Sequence, residues 1–481
     1  MVDGPSLPAS LDGFAVHLVG IKGTGMSALA EVLSARGARV TGSDSGEKFY
    51  TDEILRRLGI AFEEGFAASN LPPDARLVVH SPAYSREENT ELKAAVARGI
   101  PVVTYPEALG ILSKNFDSSA ISGVHGKSTT TALCGVILKA WGFPATVIVG
   151  AAVPAFGGRS TLVQGDAYLV AETCEYRRAF LNFHARRIAI TSVDADHLDY
   201  FRDMDDIQDA FRAFGGSLPK GGTLVYCADD AGACAAAVKI LKARKDIKVI
   251  EYGRKADGDF QVTGVRTGPG LTRFFLKGFR QEFSLRVPGE HTVLNAACAL
   301  ALCRELWLAE RRNAEPDIGA AVEALADFTG SRRRSEVVGE AGGVIVVDDY
   351  AHHPTAIAKT LAGMLEFYSG RRLIVDFMPH LYSRTKALLS EFGRCFGSAY
   401  EVVLHDIYAS AREASQGGVC GRDVFDEVSK NHPRVFYYKR QQEAIPHISS
   451  MLREGDVFIT MGAGDNWRIG REILRLRGGS A

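Results

Sequence analysis

Residues 117–133, DSSAISGVHGKSTTTAL, constrain this chain more than any other stretch. An apolar lead-in, Ala120 and Ile121, runs into Gly123, Val124, His125, Gly126, Lys127 and Ser128, and a helical pattern then starts with Ala132 and Leu133. Glycines without side chains let backbone N–H groups close around phosphate oxygens. The helix that begins there adds the positive end of its dipole. Lys127 supplies a point charge for terminal phosphates, and Ser128 a hydroxyl for Mg²⁺. The standard phosphate loop carries glycine where this chain has Ile121, so the pattern is the shortened GxxGK[ST]. Read alone, it could also be a glycine turn capping an ordinary helix.

Upstream, AVHLVG at 15–20 predicts a buried parallel strand leading into Gly20, Gly23 and Gly25, with a helix opening near Met26. VTGSD at 40–44 predicts a second strand, ending in Asp44. Glycines for the turn, a helix start for a diphosphate and an acid for a ribose outline a nucleotide fold. The spacing is GxxGxG and not the dehydrogenase GxGxxG, which favours a pyrophosphate ligand other than NAD. Further strands are expected at 77–79, ahead of His80-Ser81-Pro82-Ala83, and at 101–103.

Beyond the phosphate loop a helix should run to about Trp141, with strands at 146–150, 168–171 and 187–192. Two of these end in acids, Glu172-Thr173-Cys174-Glu175 and Asp194-Ala195-Asp196-His197, where an α/β site commonly holds Mg²⁺. Residues 257–288 alternate apolar and polar with turn glycines, which suggests an antiparallel insertion, and PGEHTVLN at 288–295 opens an alanine-rich helix. Gly330-Ser331-Arg332-Arg333-Arg334 marks a boundary. The strands after it, at 344–347, 373–375, 401–404 and 457–460, lead to DDYAHHP, DFMPHLYSR, HDIYASARE and MGAGDNW. Polar strand ends of that kind form the rim of a crevice in an open parallel sheet.

At 481 residues the chain is too long for one core, and length alone suggests about three domains. Lys+Arg 56 against Asp+Glu 57 leaves no global basic field for nucleic acid. No secretory signal is expected in the N-terminal residues, no apolar run is expected to reach membrane-spanning length, and the scattered cysteines without a CxxC pair suit a reducing, cytoplasmic setting.

Taken together, GxxGxGMSALA, GVHGKSTTT, AExxE, DADHLDYF, PGEHTVLNA, FTGSRRRSE, VDDYAHHPT, PHLYSRTKALLSEF and MGAGDNW resemble the Mur ligases, in order and over nearly the entire chain. Within that family they are most similar to the alanine-adding branch. The resemblance implies an α/β protein of three domains. A Rossmann-like domain over 1–114 would take the UDP-sugar, a P-loop-type ATPase domain over 115–329 the ATP, and a Rossmann-like domain over 330–481 the amino acid. It implies ATP and Mg²⁺, with UDP-N-acetylmuramate and L-alanine as substrates. A sugar carboxylate would be phosphorylated to an acyl phosphate and then attacked by the amine. It further implies a cytoplasmic protein, a monomer or weak homodimer, without nucleic acid or membrane insertion.

By the same resemblance, Gly20, Gly23, Thr24, Gly25, Met26, Asp44 and Ser81 would hold the UDP-sugar. Gly123, His125, Gly126, Lys127, Ser128 and Thr129 would hold the ATP phosphates, His291 and Asn295 the adenine, and Arg333 and Asp349 would close on the nucleotide. Ser128, Glu172 and His197 would serve metal, and Tyr350, His352, Arg384 and Arg412 the amino acid. Lys127, Glu172, His197, His352 and Arg384 would carry the chemistry. Three departures stand out. Val124 and Ser128 replace threonines, AETCEYRR brings Arg177 and Arg178 beside the acids, and Leu381 stands where the family commonly places an arginine. Arg412 is the expected substitute for that arginine. The rival readings are a recycling ligase joining a tripeptide to UDP-N-acetylmuramate, an NAD-dependent oxidoreductase, and a non-catalytic nucleotide-binding module.

Overall fold

The computed structural model describes residues 6–8, 10–197, 200–311, 314–409 and 418–479. The chain separates into two compact units, one of 1–194, 205–260 and 297–324, the other of 195–204, 261–296 and 325–481.

The first unit contains two sheets. A five-stranded parallel sheet runs in the order Ala61–Glu64, Arg39–Asp44, Ala15–Val19, Leu77–His80, Val102–Thr104. Ala15–Val19 is buried throughout, as the unbroken apolar run required, because helices cover both faces of such a sheet. A seven-stranded sheet follows, in the order Lys248–Tyr252, Thr223–Cys227, Arg187–Ile190, Asp117–Ser122, Tyr168–Glu172, Ala145–Val153, Arg159–Val163. Its last pair is antiparallel and the others are parallel. The phosphate-loop strand, Asp117–Ser122, therefore sits between the two strands that end in acids.

The second unit carries the foreseen antiparallel insertion, Val262–Gly268, Leu271–Leu276 and Glu282–Leu285. Its main sheet has the order Glu336–Ala341, Val344–Asp349, Val457–Met461, Leu373–Phe377, Glu401–Leu404, Val435–Tyr437. The four strands expected from the sequence are all parallel, and an edge strand that was not foreseen, Glu336–Ala341, runs antiparallel to Val344–Asp349. Gly342 and Gly343, both at positive φ, close the two strands as a two-residue hairpin. Val347, Leu361, Met364, Phe377, Phe392 and Val402 pack one face of this sheet, and Val346, Ile374, Phe458 and Ile473 the other. Each such side chain contributes about 1.5–3 kcal/mol on burial.

One helix bears on the expectation about apolar runs by its length and composition alone. The helix Glu290–Arg311 is long and apolar enough to cross a membrane, although 67% of its most apolar window is buried within the protein. Its alanine, leucine and cysteine positions from Ala296 to Cys303 are all buried, which accounts for its composition as that of a core helix. All eight cysteines are unpaired.

Candidate active site

The phosphate loop owes its shape to two glycines in backbone conformations that side chains disfavour. Gly123 has φ +137°, and a Cβ there would fall 2.2 Å from the Thr191 hydroxyl. Gly126, at φ +84°, caps the helix Lys127–Ala140. The loop is laced to the end of the neighbouring strand. Val124 N–H donates to Ser192 O at 3.0 Å, His125 N–H to Ser192 Oγ at 2.8 Å, and Thr191 Oγ1 to His125 O at 2.5 Å. Ser128 is buried in the first helical turn, and Thr129 lies half-buried beside it. His125 Nε2 lies 3.5 Å from Asp194 Oδ2.

Lys127 bends back over its own loop. Its Nζ donates to Gly123 O and lies 3.1 Å from Glu175 Oε2 and 3.4 Å from Glu175 Oε1. Burial works against its charge, but the acids around it, Glu175 foremost, outweigh burial and hold its pKa above the ordinary lysine value. Glu175 was absent from the expected set, although its sequence signal was plain: a second acid three residues after Glu172. Glu172 ends its strand with Oε2 buried and without a hydrogen-bond partner among the described residues. It occupies the space left by the missing side chain of Gly150, where a Cβ would meet Glu172 Oε1 at 2.1 Å. An orphaned buried carboxylate oxygen, with a second carboxylate and the Ser128 hydroxyl in the same unit, is a donor set that suits a hard divalent cation. Arg177 and Arg178 follow at positive φ, 52° and 55°, and Arg178 pairs with Asp206 at 2.6 Å. The second of the two intruding arginines is thus neutralised locally.

The glycine turn at 20–25 is equally built. Cβ atoms at Gly20 and Gly25 would meet Tyr84 and Tyr105 at 2.8 Å. Thr24 accepts from Tyr50 OH at 3.0 Å, and Ser81 Oγ from Ala83 N–H at 3.3 Å. Gly23 caps the helix Thr24–Ala35, whose first N–H groups belong to Thr24, Gly25 and the buried Met26. Asp44 is already engaged, accepting from Lys22 N–H at 2.7 Å, Ser45 N–H at 2.8 Å and Tyr84 OH at 3.0 Å. Lys22 itself is buried, and its ammonium donates to Ser45 O, Glu47 O and Glu64.

The remaining expected residues belong to the second unit. His197 has φ +56° and its N–H donates to Asp196 Oδ1 at 2.7 Å. His291 stands over Gly289, where a Cβ would fall 2.3 Å from its ring, and Asn295 is buried one helical turn further on. Arg333 reaches Asp348 Oδ2 at 2.9 Å and Gly462 O at 2.8 Å, while its guanidinium lies 5.2 Å from the Tyr350 ring centroid. Asp349 holds backbone: Oδ2 accepts from Ser335 N–H and Oγ, and Oδ1 from Ala351 N–H at 2.8 Å. Neighbouring residues of a strand face opposite ways, so only Asp348 meets Arg333.

Tyr350, His352, His380 and Arg384 come together. The rings of Tyr350 and His352 lie 5.1 Å apart, those of His352 and His380 6.3 Å, and Arg384 Nη1 lies 3.5 Å from His380 Nδ1. Arg384 is not held in reserve for a ligand alone. It is buried, and its Nε and Nη2 donate to Asp196 Oδ1 at 3.2 and 2.9 Å. Burial disfavours the Asp196 charge, but Arg384 and the nearby histidines more than reverse this and depress its pKa. His352 Nδ1 faces Tyr350 O at 2.8 Å, an acceptor, so Nδ1 carries the proton and Nε2 a lone pair. Burial first, then Arg384, push the pKa of His352 well below the usual histidine value. Leu381 adopts φ +69° and is buried, and Arg412 lies outside the described residues.

Three family models match in sequence order: Mur ligase family, catalytic domain, over 15–117; Mur ligase middle domain over 121–303; and Mur ligase, glutamate ligase domain, over 333–464. The chain is 48% identical over 472 residues to a UDP-N-acetylmuramate–L-alanine ligase of Treponema pallidum (strain Nichols), covering 98% of each chain. It is 38% identical over 463 residues to the ligase of the same description from Desulfitobacterium hafniense, covering 95% of this chain and 99% of the other. Among solved structures it is similar to the UDP-N-acetylmuramate–alanine ligase MurC of Thermotoga maritima. The TM-score there is 0.75 at 25% identity, covering 96% of this chain and 98% of that one.

Proposed function

The chain belongs to the Mur ligase family, and from that premise we propose that it joins L-alanine to UDP-N-acetylmuramate, driven by ATP, in peptidoglycan precursor synthesis. The observation that carries this reading is 48% identity, over 98% of both chains, to a ligase of that description. The fold is the three-domain α/β fold of that family. We assign 1–114 to the UDP-sugar, 115–329 to ATP and 330–481 to the amino acid.

In this reading Gly123, Gly126 and the helix start after them receive the ATP phosphates, and Lys127 exchanges Glu175 for the terminal phosphate. Its raised pKa keeps the ammonium charged for that exchange. Ser128, Glu172 and Glu175 would hold Mg²⁺, which when bound neutralises charge on the transferring phosphoryl group. The sugar carboxylate, a poor electrophile, leaves the first half-reaction as an acyl phosphate. The amine of alanine then attacks its carbonyl carbon, and phosphate departs with the C–O bond electrons. Arg384 orients the amino acid's carboxylate while Asp196 fixes the guanidinium from the other side. His352, neutral and with Nε2 unprotonated, accepts a proton from the attacking nitrogen once the new C–N bond has made that nitrogen acidic.

Eight unpaired cysteines favour a reducing compartment, so we place the enzyme in the cytoplasm. The test is phosphate release from ATP by purified protein with Mg²⁺ and UDP-N-acetylmuramate, against a panel of amino acids and the cell-wall tripeptide. Release that depends on both the sugar and L-alanine is expected. Release with the tripeptide alone would assign the chain to the recycling reaction instead.

A further inference from the structure

Below the rim of the second unit's main sheet lies a charged group that the mechanism does not use. Asp376 and His405 are fully buried, with His405 Nε2 2.6 Å from Asp376 Oδ2. His405 Nδ1 faces Tyr438 O at 3.0 Å. A carbonyl only accepts, so Nδ1 carries a proton. Asp376 Oδ1 accepts from Asn466 Nδ2 at 2.8 Å, and the same amide donates to Met461 O at 3.0 Å. Both carboxylate oxygens thus serve as acceptors, Oδ1 for Asn466 and Oδ2 for His405 Nε2–H, and His405 donates from both ring nitrogens. Asp465 adds negative potential from the loop that carries Asn466, and the pKa of His405 is raised despite its burial.

The placement of these three side chains is informative. Asp376 is the penultimate residue of the strand Leu373–Phe377, His405 directly follows Glu401–Leu404, and Asn466 lies in the loop leaving Val457–Met461. Tyr438 follows Val435–Tyr437. One polar group thus ties together the ends of four adjacent strands. The loops just above are tied in turn. Tyr408 N–H donates to Pro379 O at 2.8 Å, Met378 N–H to Met461 O at 3.1 Å, and the His380 ring stacks on Tyr408 at 6.0 Å. His380 in turn touches Arg384.

We propose that Asp376, His405 and Asn466 are positioning residues that set the relative height of these strand-end loops, and through them the His380–Arg384 side of the amino-acid pocket. A buried ion pair is a poor source of stability compared with apolar packing of the same volume. It does, however, impose direction and distance on the elements that carry it, which apolar contacts do not. This inference rests on the amino-acid role proposed above for the second unit.

The test replaces the pair as a whole. The double variant Asp376→Val/His405→Leu should fold and melt no lower than wild type, because both charges are removed together. Its KM for L-alanine should rise by about tenfold or more, since small misplacements in a site cost that much, with the KM values for ATP and UDP-N-acetylmuramate nearly unchanged. Asp376→Asn, whose amide can donate to a neutral His405 and still accept from Asn466, should behave like wild type. Should the double variant not fold, Asn466→Ala removes a single arm and should show the same selective rise. Unchanged KM values in the double variant and in Asn466→Ala, or a parallel rise in the KM values for all three substrates, would overturn the positioning role. Should wild type not use alanine at all, the ligase reading fails separately. Amide exchange at 378–381 and 405–408 then decides, since faster exchange in the double variant supports positioning and identical exchange refutes it.

Discussion

Arg384 and Asp196, 188 residues apart in sequence, form a buried ion pair in which two guanidinium nitrogens converge on one carboxylate oxygen. Removing one partner strands the other charge away from water. Asp196→Ala should therefore destabilise the protein by about 3–5 kcal/mol in urea unfolding, well beyond an average surface substitution. A loss below about 1 kcal/mol would show that Arg384 finds solvent or another acid.

Lys127→Ala should preserve a cooperative thermal transition and lower turnover by a factor of roughly 10²–10³ or more, the scale expected for deleting a charge aimed at a transition state. A variant with near-normal turnover would remove Lys127 from phosphoryl transfer. Single-turnover measurements at saturating ATP separate this from weakened binding.

Glu172→Gln and Glu175→Gln should each require more Mg²⁺ for half-maximal rate, while UDP-sugar affinity measured calorimetrically stays constant. Glu175→Gln should show a second effect, because Glu175 is the foremost acid holding the Lys127 pKa up. ATP binding in that variant should tighten, since Lys127 no longer has to leave a carboxylate partner. If sugar binding collapses instead, both acids belong to another site.

The depressed pKa of His352 carries a definite sign. Its neutral form is the working one, so the acid limb of kcat should lie below the ordinary histidine value of about 6.5, with activity lost as pH falls through the lower pKa. Stability moves the same way. A histidine whose folded pKa is lower than its unfolded one contributes stability above the unfolded pKa, and loses it as pH falls towards the folded value. Arg384→Met should raise the pKa seen in ¹⁵N imidazole spectra of His352, because Arg384 is its second cause of depression.

Position 381 gives the riskiest expectation. Leu381 cannot offer a carboxylate partner, and we expect Arg412 to supply it. Arg412→Ala should raise the KM for L-alanine by about one to two powers of ten, as loss of a charge-assisted pair worth roughly 1.5–3 kcal/mol requires, with that for ATP little changed. Leu381→Arg should alter it little. A sharp gain in alanine use by Leu381→Arg, with Arg412→Ala like wild type, would show that the pocket simply lacks this cation.

The elements were legible where a single local rule decided them. The apolar run at 15–19 became a buried strand, and the glycine turn before Lys127 opened a helix. Partnerships were less legible. AETCE presents two glutamates with equal claims, and only the backbone path after Thr173 brings Glu175 to Lys127. In VDDY, two adjacent aspartates look equivalent, yet strand alternation sends Asp348 to Arg333 and Asp349 to the Ser335 and Ala351 backbone. No spacing rule could pair Asp196 with Arg384, because that contact depends on where two distant segments are brought together. The Asp376–His405 pair was invisible for the same reason.

Gly150 bears on how variants of this protein would be understood. It carries no chemistry, yet the Glu172 carboxylate fills the space its own side chain would need. Gly150→Ala would therefore act as a displacement of Glu172. In an activity screen position 150 would score like a ligand residue, while in a stability screen it would look nearly silent. Sites of this kind are mapped by function and not by contact. A survey that weighed only side chains facing the nucleotide would leave out the residue on which the acid's position depends.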